Sequence, residues 1–165
     1  MKFHGFGMYG MGGPATNPAE AGFSRRVAGL GVDIHGSPYR DYQAGEIAAI
    51  INKIPETEGV FVWGTSLGAN NTPLVCSYVH RRIDGAFGFQ ASLYGYHGRM
   101  PKNVKFAHLI SSHSPIPMPG LGAYVWECAT LDTHYIHEWR DLPHPGDYDK
   151  DDQNKFLEEM KDIMS

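Results

Sequence analysis

The chain has 165 residues, the length of one compact domain that can bury a core without disulfide or metal staples. With 18 acidic and 14 basic residues its formal charge is −4, and no run of Lys or Arg provides the basic footprint of a nucleic-acid or anionic-membrane binder. Twenty glycines and eleven prolines against 42% hydrophobic residues describe a globular chain with many tight turns, not a disordered one.

The N-terminal stretch MKFHGFGMYGMGG is broken by glycines throughout and makes a poor signal peptide; no run of about 18 apolar residues follows to span a bilayer. A cytoplasmic location is therefore expected. The two cysteines, Cys76 and Cys128, lie far apart in apolar surroundings, as buried thiols do in a reducing compartment.

Taken in chain order, apolar runs bounded by Gly or Pro alternate with longer helical stretches. A strand over 2–9 runs into the glycine-rich segment Gly10-Met11-Gly12-Gly13-Pro14. Asn17, Pro18 and Glu20 supply a cap, a first-turn proline and a first-turn acid for a helix ending at Gly31. A short strand over 32–39 precedes a helix over 41–54, with Ile47, Ile50, Ile51 and Ile54 at three- and four-residue spacings and Pro55 as its stop.

The strand 59–63, a turn over 64–68, a helix from about Asn70 to Val79 and a strand over 83–89 come next. A Gly- and Tyr-rich loop leads to a strand over 104–110, and the three prolines of SSHSPIPMPGLG forbid regular structure after it. The segment 124–128 reads as strand or helix, and 133–139 as a last strand. An amphipathic helix over 149–163 closes the domain, with Phe156, Leu157, Met160 and Ile163 on one face.

This succession predicts a single α/β domain over 1–165, a three-layer α/β/α sandwich with a mostly parallel sheet of about six strands. Ligand sites in such folds sit at the carboxyl ends of the strands, so chemistry is expected in the loops after Tyr9, Trp63, Phe89, Ile110 and Trp139.

One of those loops carries a motif. Gly64-Thr65-Ser66-Leu67-Gly68 fits G-x-S-x-G between an apolar strand and a helix, the context in which a strained turn lifts a serine hydroxyl above a sheet. Ser66 is the candidate nucleophile. The helix after it aims its N-terminal N–H groups at the same spot, so the Leu67 amide is one candidate oxyanion donor and Met11, in the glycine-rich loop, the second.

A serine needs a base, and nine histidines are available. His144, in the loop between the last strand and the C-terminal helix, faces the same end of the sheet as Ser66; His113 is its competitor. His134 and His137 belong to the last strand, His4 and His35 to early strands, and His80 follows a helix at the far end. No histidine pair has helical i, i+4 spacing with an intervening acid, so neither metal nor cofactor is expected.

With these residues in view the chain resembles a minimal α/β-hydrolase, similar to the small lidless lipases and cutinases. The family's oxyanion loop corresponds to Tyr9-Gly10-Met11-Gly12-Gly13, with Tyr9 in place of the usual histidine, and its nucleophile elbow to Gly64–Gly68. Its histidine corresponds to His144. The acid does not match: where the family places Asp or Glu, this chain has Ser111-Ser112-His113-Ser114. A Ser66-His144 dyad, an acid from Asp141 or Asp147, a longer reach from Asp132 or Glu127, and a protein without hydrolase activity all stay open.

The resemblance implies a serine hydrolase cleaving a small-molecule carboxylic ester. Its rival is a non-catalytic binding or structural module on the same fold.

Overall fold

In a computed structural model, residues 1–10, 18–36, 39, 43–91, 99–112, 126, 133–140 and 150–165 are described. They form β1 (Phe3–Met8), α1 (Pro18–Ala28), β2 (Asp33–Ile34), α2 (Ala44–Ile51), β3 (Gly59–Thr65), α3 (Leu67–Ser77), β4 (Gly85–Phe89), β5 (Phe106–Ser112), β6 (His134–Arg140) and α4 (Lys150–Met164). All six strands join one sheet in the order β2-β1-β3-β4-β5-β6, and every neighbouring pair is parallel.

A parallel sheet is covered on both faces, and the central strands are accordingly buried along their whole length: every residue of β1, β3 and β4 is inside. Alternate residues feed two separate cores. On one face Phe6, Met8, Val60 and Val62 pack with Ile47 and Ile51 of α2 and Val75 of α3. On the other, Phe3, Phe61, Trp63 and Phe87 pack with Phe23 of α1 and Phe156 and Met160 of α4. Phe156 is the hub of the second core, its ring 4.5 Å from Phe89, 5.2 Å from Phe87 and 6.2 Å from Phe23.

Helices on both faces of a six-strand parallel sheet are the expected three-layer sandwich. The chain moves outward from β1 to β2 and then crosses back to place β3 on the other side of β1. The carboxyl ends of β1 and β3 are thus the topological switch point, the place where open α/β sheets bind ligands.

Several boundaries differ from the sequence expectation for physical reasons. The second strand shrinks to two residues because Gly36 takes φ +44 and turns the chain out of the ladder; it returns at Tyr39, whose backbone N–H donates to Gly7 at 2.6 Å. β4 starts at Gly85, not Ile83, because Asp84 Oδ2 accepts the Val60 amide hydrogen at 2.9 Å in place of a backbone carbonyl. β5 keeps Ser111 and Ser112, whose serines read as loop but pair in register with Trp139 and Arg140. Of the four isoleucines on α2 and its end, Ile47, Ile51 and Ile54 are buried while Ile50 faces solvent.

Among the described residues no helix is long and apolar enough to cross a membrane. Cys76 is a free, buried thiol whose burial pushes its pKa well above the ordinary range, leaving it inert.

Candidate active site

β3 runs straight into α3 with one residue between them, Ser66, and that residue is strained. Its φ is 51 and its ψ −116, outside the left-handed helical basin that non-glycine residues occasionally use. Such a conformation costs about 1–3 kcal/mol and persists only where the surroundings enforce it.

The enforcement is visible on both sides. The Ser66 amide donates to the Phe89 carbonyl at 2.9 Å, anchoring the turn to β4, and the Ser66 carbonyl accepts from Asn70 at 3.0 Å, starting the helix. The flanking glycines leave no space for a side chain. A Cβ on Gly64 would overlap the carbonyl group of Gly68 and lie 2.7 Å from the Ala69 nitrogen. A Cβ on Gly68 would lie 2.6 Å from the Tyr9 oxygen and 2.7 Å from the Met8 oxygen. Both glycines of G-x-S-x-G are therefore steric requirements of this turn.

The Gly68 contact also locates the end of β1. Met8 and Tyr9 press their backbone against the first turn of α3, so the chain entering the glycine-rich loop passes beside Ser66. Leu67, the candidate oxyanion donor, is the first residue of that helix. Gln90, buried just past the end of β4, is a second non-glycine residue with positive φ, 52, and its amide donates to Ile110 at 2.7 Å. Two adjacent strands thus end in strained residues at the carboxyl edge, and no motif in the sequence marks Gln90.

Met11, His144 and the alternative base His113 lie outside the described residues, as do Asp132, Asp141, Asp147 and Glu127. Several of the other histidines are engaged elsewhere. His108 is buried between carboxylates, with Nδ1 2.7 Å from Glu159 Oε1 and Nε2 2.7 Å from Glu138 Oε2. His137 Nε2 lies 2.7 Å from the Ser111 hydroxyl, and its burial lowers its pKa below the ordinary imidazole value. His4 and His35 contact each other at the amino end of the sheet. His80 follows α3 at that same far end, where its amide donates to Asn52 Oδ1 at 2.8 Å.

The chemical capacity of this region is that of a rigid serine platform: a hydroxyl at a fixed, strained turn, at a helix N-terminus, at the switch point of a parallel sheet. No protein-family model, curated protein or solved structure matches the chain.

Proposed function

We propose that the protein is a serine hydrolase that cleaves a carboxylic ester through an acyl-enzyme on Ser66, on a minimal α/β-hydrolase fold. The observation that carries this reading is the backbone of Ser66: a strained conformation held between two glycines that tolerate no Cβ, which has no use in an ordinary strand-to-helix turn.

In this mechanism Ser66 Oγ attacks the ester carbonyl while His144 takes its proton. The tetrahedral oxyanion accepts hydrogen bonds from the Leu67 and Met11 amides. Collapse breaks the ester bond, the imidazolium returns the proton to the leaving alkoxide, and water, activated by the same base, then releases the acid.

Chain reach is compatible with His144 as the base. β6 stands three strands from β3, roughly 14 Å at about 4.8 Å per step, and both end at the same edge of the sheet. His144 is four residues past Arg140, which allows roughly 13–14 Å of extended chain before the side chain is counted. The carboxylate that would orient it is Asp141, Asp147, Asp132 or Glu127, or is absent as in a Ser-His dyad.

A fluorophosphonate probe tests the reading directly. The folded protein is expected to label at Ser66 and the Ser66→Ala variant not at all, whereas an unlabelled wild type would leave a binding or structural module as the function. Turnover of a short-chain nitrophenyl ester should vanish in His144→Ala; its loss in His113→Ala instead would move the base to His113.

A further inference from the structure

The end of the sheet opposite Ser66 holds a second cluster. His4 is the second residue of β1 and pairs in register with Asp33 of β2, which sets their side chains beside each other. His35 follows β2 with its amide hydrogen donated to the Gly5 carbonyl at 3.0 Å, and its ring stacks on Phe6 at 4.8 Å and 12°. His4 Nδ1 and His35 Nε2 are 2.7 Å apart, and Asp33 Oδ2 lies 3.8 Å from the first and 3.9 Å from the second.

We propose that His4, Asp33 and His35 form a binding site for a zinc-class divalent cation. Four features carry this. Three donors, one from β1 and two from the segment Asp33-Ile34-His35, converge on one point, all within 4.8 Å of each other. Ligands about 2.0–2.1 Å from a tetrahedral ion stand about 3.4 Å apart, so the two nitrogens, 2.7 Å apart, open by about 0.7 Å and the carboxylate oxygen, at 3.8 and 3.9 Å, closes by about 0.4–0.5 Å.

The third feature is an outer partner. His4 is buried, and its Nε2 faces Glu58 Oε2 at 2.5 Å. A carboxylate accepts, so the ring proton sits on Nε2 and the Nδ1 lone pair points into the cluster, the carboxylate–histidine–metal arrangement that fixes a ligand's tautomer and raises its basicity. The fourth is access. His35 is partly exposed and Asp33 half exposed, which leaves a solvent side for a water as the remaining ligand. Lys2 Nζ stands 3.2 Å from Asp33 Oδ2, but it is more than half exposed and turns into solvent at little cost when an ion takes its place.

Two imidazoles and one carboxylate suit zinc over magnesium or calcium. The ion is structural. His4 lies four residues before Met8, roughly 13 Å below the carboxyl edge, too far to act on a substrate at Ser66. What it would do is clasp β2, a two-residue edge strand, onto β1 and onto the turn that carries Glu58.

Spectroscopic titration tests the proposal on the whole chain. After chelator treatment, cobalt(II) is expected to bind one per chain with the intense visible bands of a four- or five-coordinate ion, to be displaced by zinc, and zinc is expected to raise Tm. His35→Ala and, as a second variant at a half-exposed position, Asp33→Asn should each weaken binding by tenfold or more with an unchanged circular dichroism spectrum, and Glu58→Gln by about 10–100-fold. The absence of stoichiometric cobalt on the folded wild type overturns the site. So does a wild-type cobalt spectrum and affinity in both His35→Ala and Asp33→Asn, which would place the ion on others of the nine histidines.

Discussion

The indole Nε1 of Trp126 donates to the carbonyl of Ala69 at 2.8 Å, and that carbonyl is the one that Pro73, four residues further along α3, has no N–H to bond. A proline inside a helix removes one ladder hydrogen bond and strands an acceptor. Here the acceptor is buried and lies three residues from Ser66, so Trp126 repairs the helix next to the elbow. Its ring also fills the space over Gly88, where a Cβ would lie 2.9 Å from Cη2.

Trp126→Phe should therefore destabilise the protein by about 1–3 kcal/mol, the cost of a buried acceptor left unpaired on top of the smaller ring. Pro73→Ala supplies the missing N–H, so the Trp126→Phe penalty should shrink in that background. Urea denaturation of the two single variants and the double variant gives the coupling; strictly additive effects would separate Trp126 from the proline defect.

Ser66 offers a second test, of strain. A glycine adopts φ 51 and ψ −116 without the steric penalty that any Cβ carries. Ser66→Gly should be more stable than Ser66→Ala by about 1–2 kcal/mol, although both lack the hydroxyl and neither labels with the fluorophosphonate. Equal stabilities would mean that the turn stores no strain in its side-chain-bearing residue. Gly64→Ala and Gly68→Ala should fail in the other direction, losing several kcal/mol, since each Cβ meets backbone that has nowhere to go.

How far the sequence discloses this molecule depends on the range of the interactions involved. Local signals were readable: the Val60–Trp63 run, the glycines around Ser66, Gly31 at φ +89 past α1, and the Phe156, Leu157 and Met160 stripe on α4 all act within a turn or a strand. The turn expected over 64–68 puts the start of α3 at about Asn70, and Asn70, Asn71, Thr72 and Pro73 are themselves poor helix formers. The helix begins at Leu67 because tertiary partners override propensity: Trp126 takes the Ala69 carbonyl, and Thr72 Oγ1 donates to the Gly68 carbonyl at 2.9 Å.

The polar clusters were not readable for a related reason. His4 meets Glu58 across 54 residues and His108 meets Glu159 across 51, contacts that exist only once strand order and register are fixed. Arg81 is similar: buried, with no carboxylate partner among the described residues, it donates to the carbonyls of Ile54, Pro55, Glu58 and Arg82, closing the end of α2 and the turn before β3. Nothing in its sequence neighbourhood distinguishes it from an exposed arginine.

The Glu138 cluster gives a dependence on pH whose sign can be worked out. Burial raises the Glu138 carboxyl, but hydrogen bonds from Lys155, Arg140 and His108 together outweigh it and bring its pKa down from 4.5 to about 2. Lys155 Nζ and Arg140 Nη2 each lie 3.0 Å from Oε1, and Arg140 is itself held by Asp152 at 3.2 Å. A carboxyl whose pKa is lower in the folded than in the unfolded chain stabilises the fold above the unfolded value and loses that contribution as pH falls through the folded one. At about 1.4 kcal/mol for each pH unit between the two values, the contribution is at most about 3.5 kcal/mol. Chemical denaturation from pH 6 down to pH 2 should therefore show stability falling chiefly below about pH 4.5. Glu138→Gln should flatten that fall while lowering stability at neutral pH, because it leaves Lys155, Arg140 and His108 facing an uncharged partner. A variant with the wild-type acid slope would remove Glu138 from the account and leave other carboxylates to explain it.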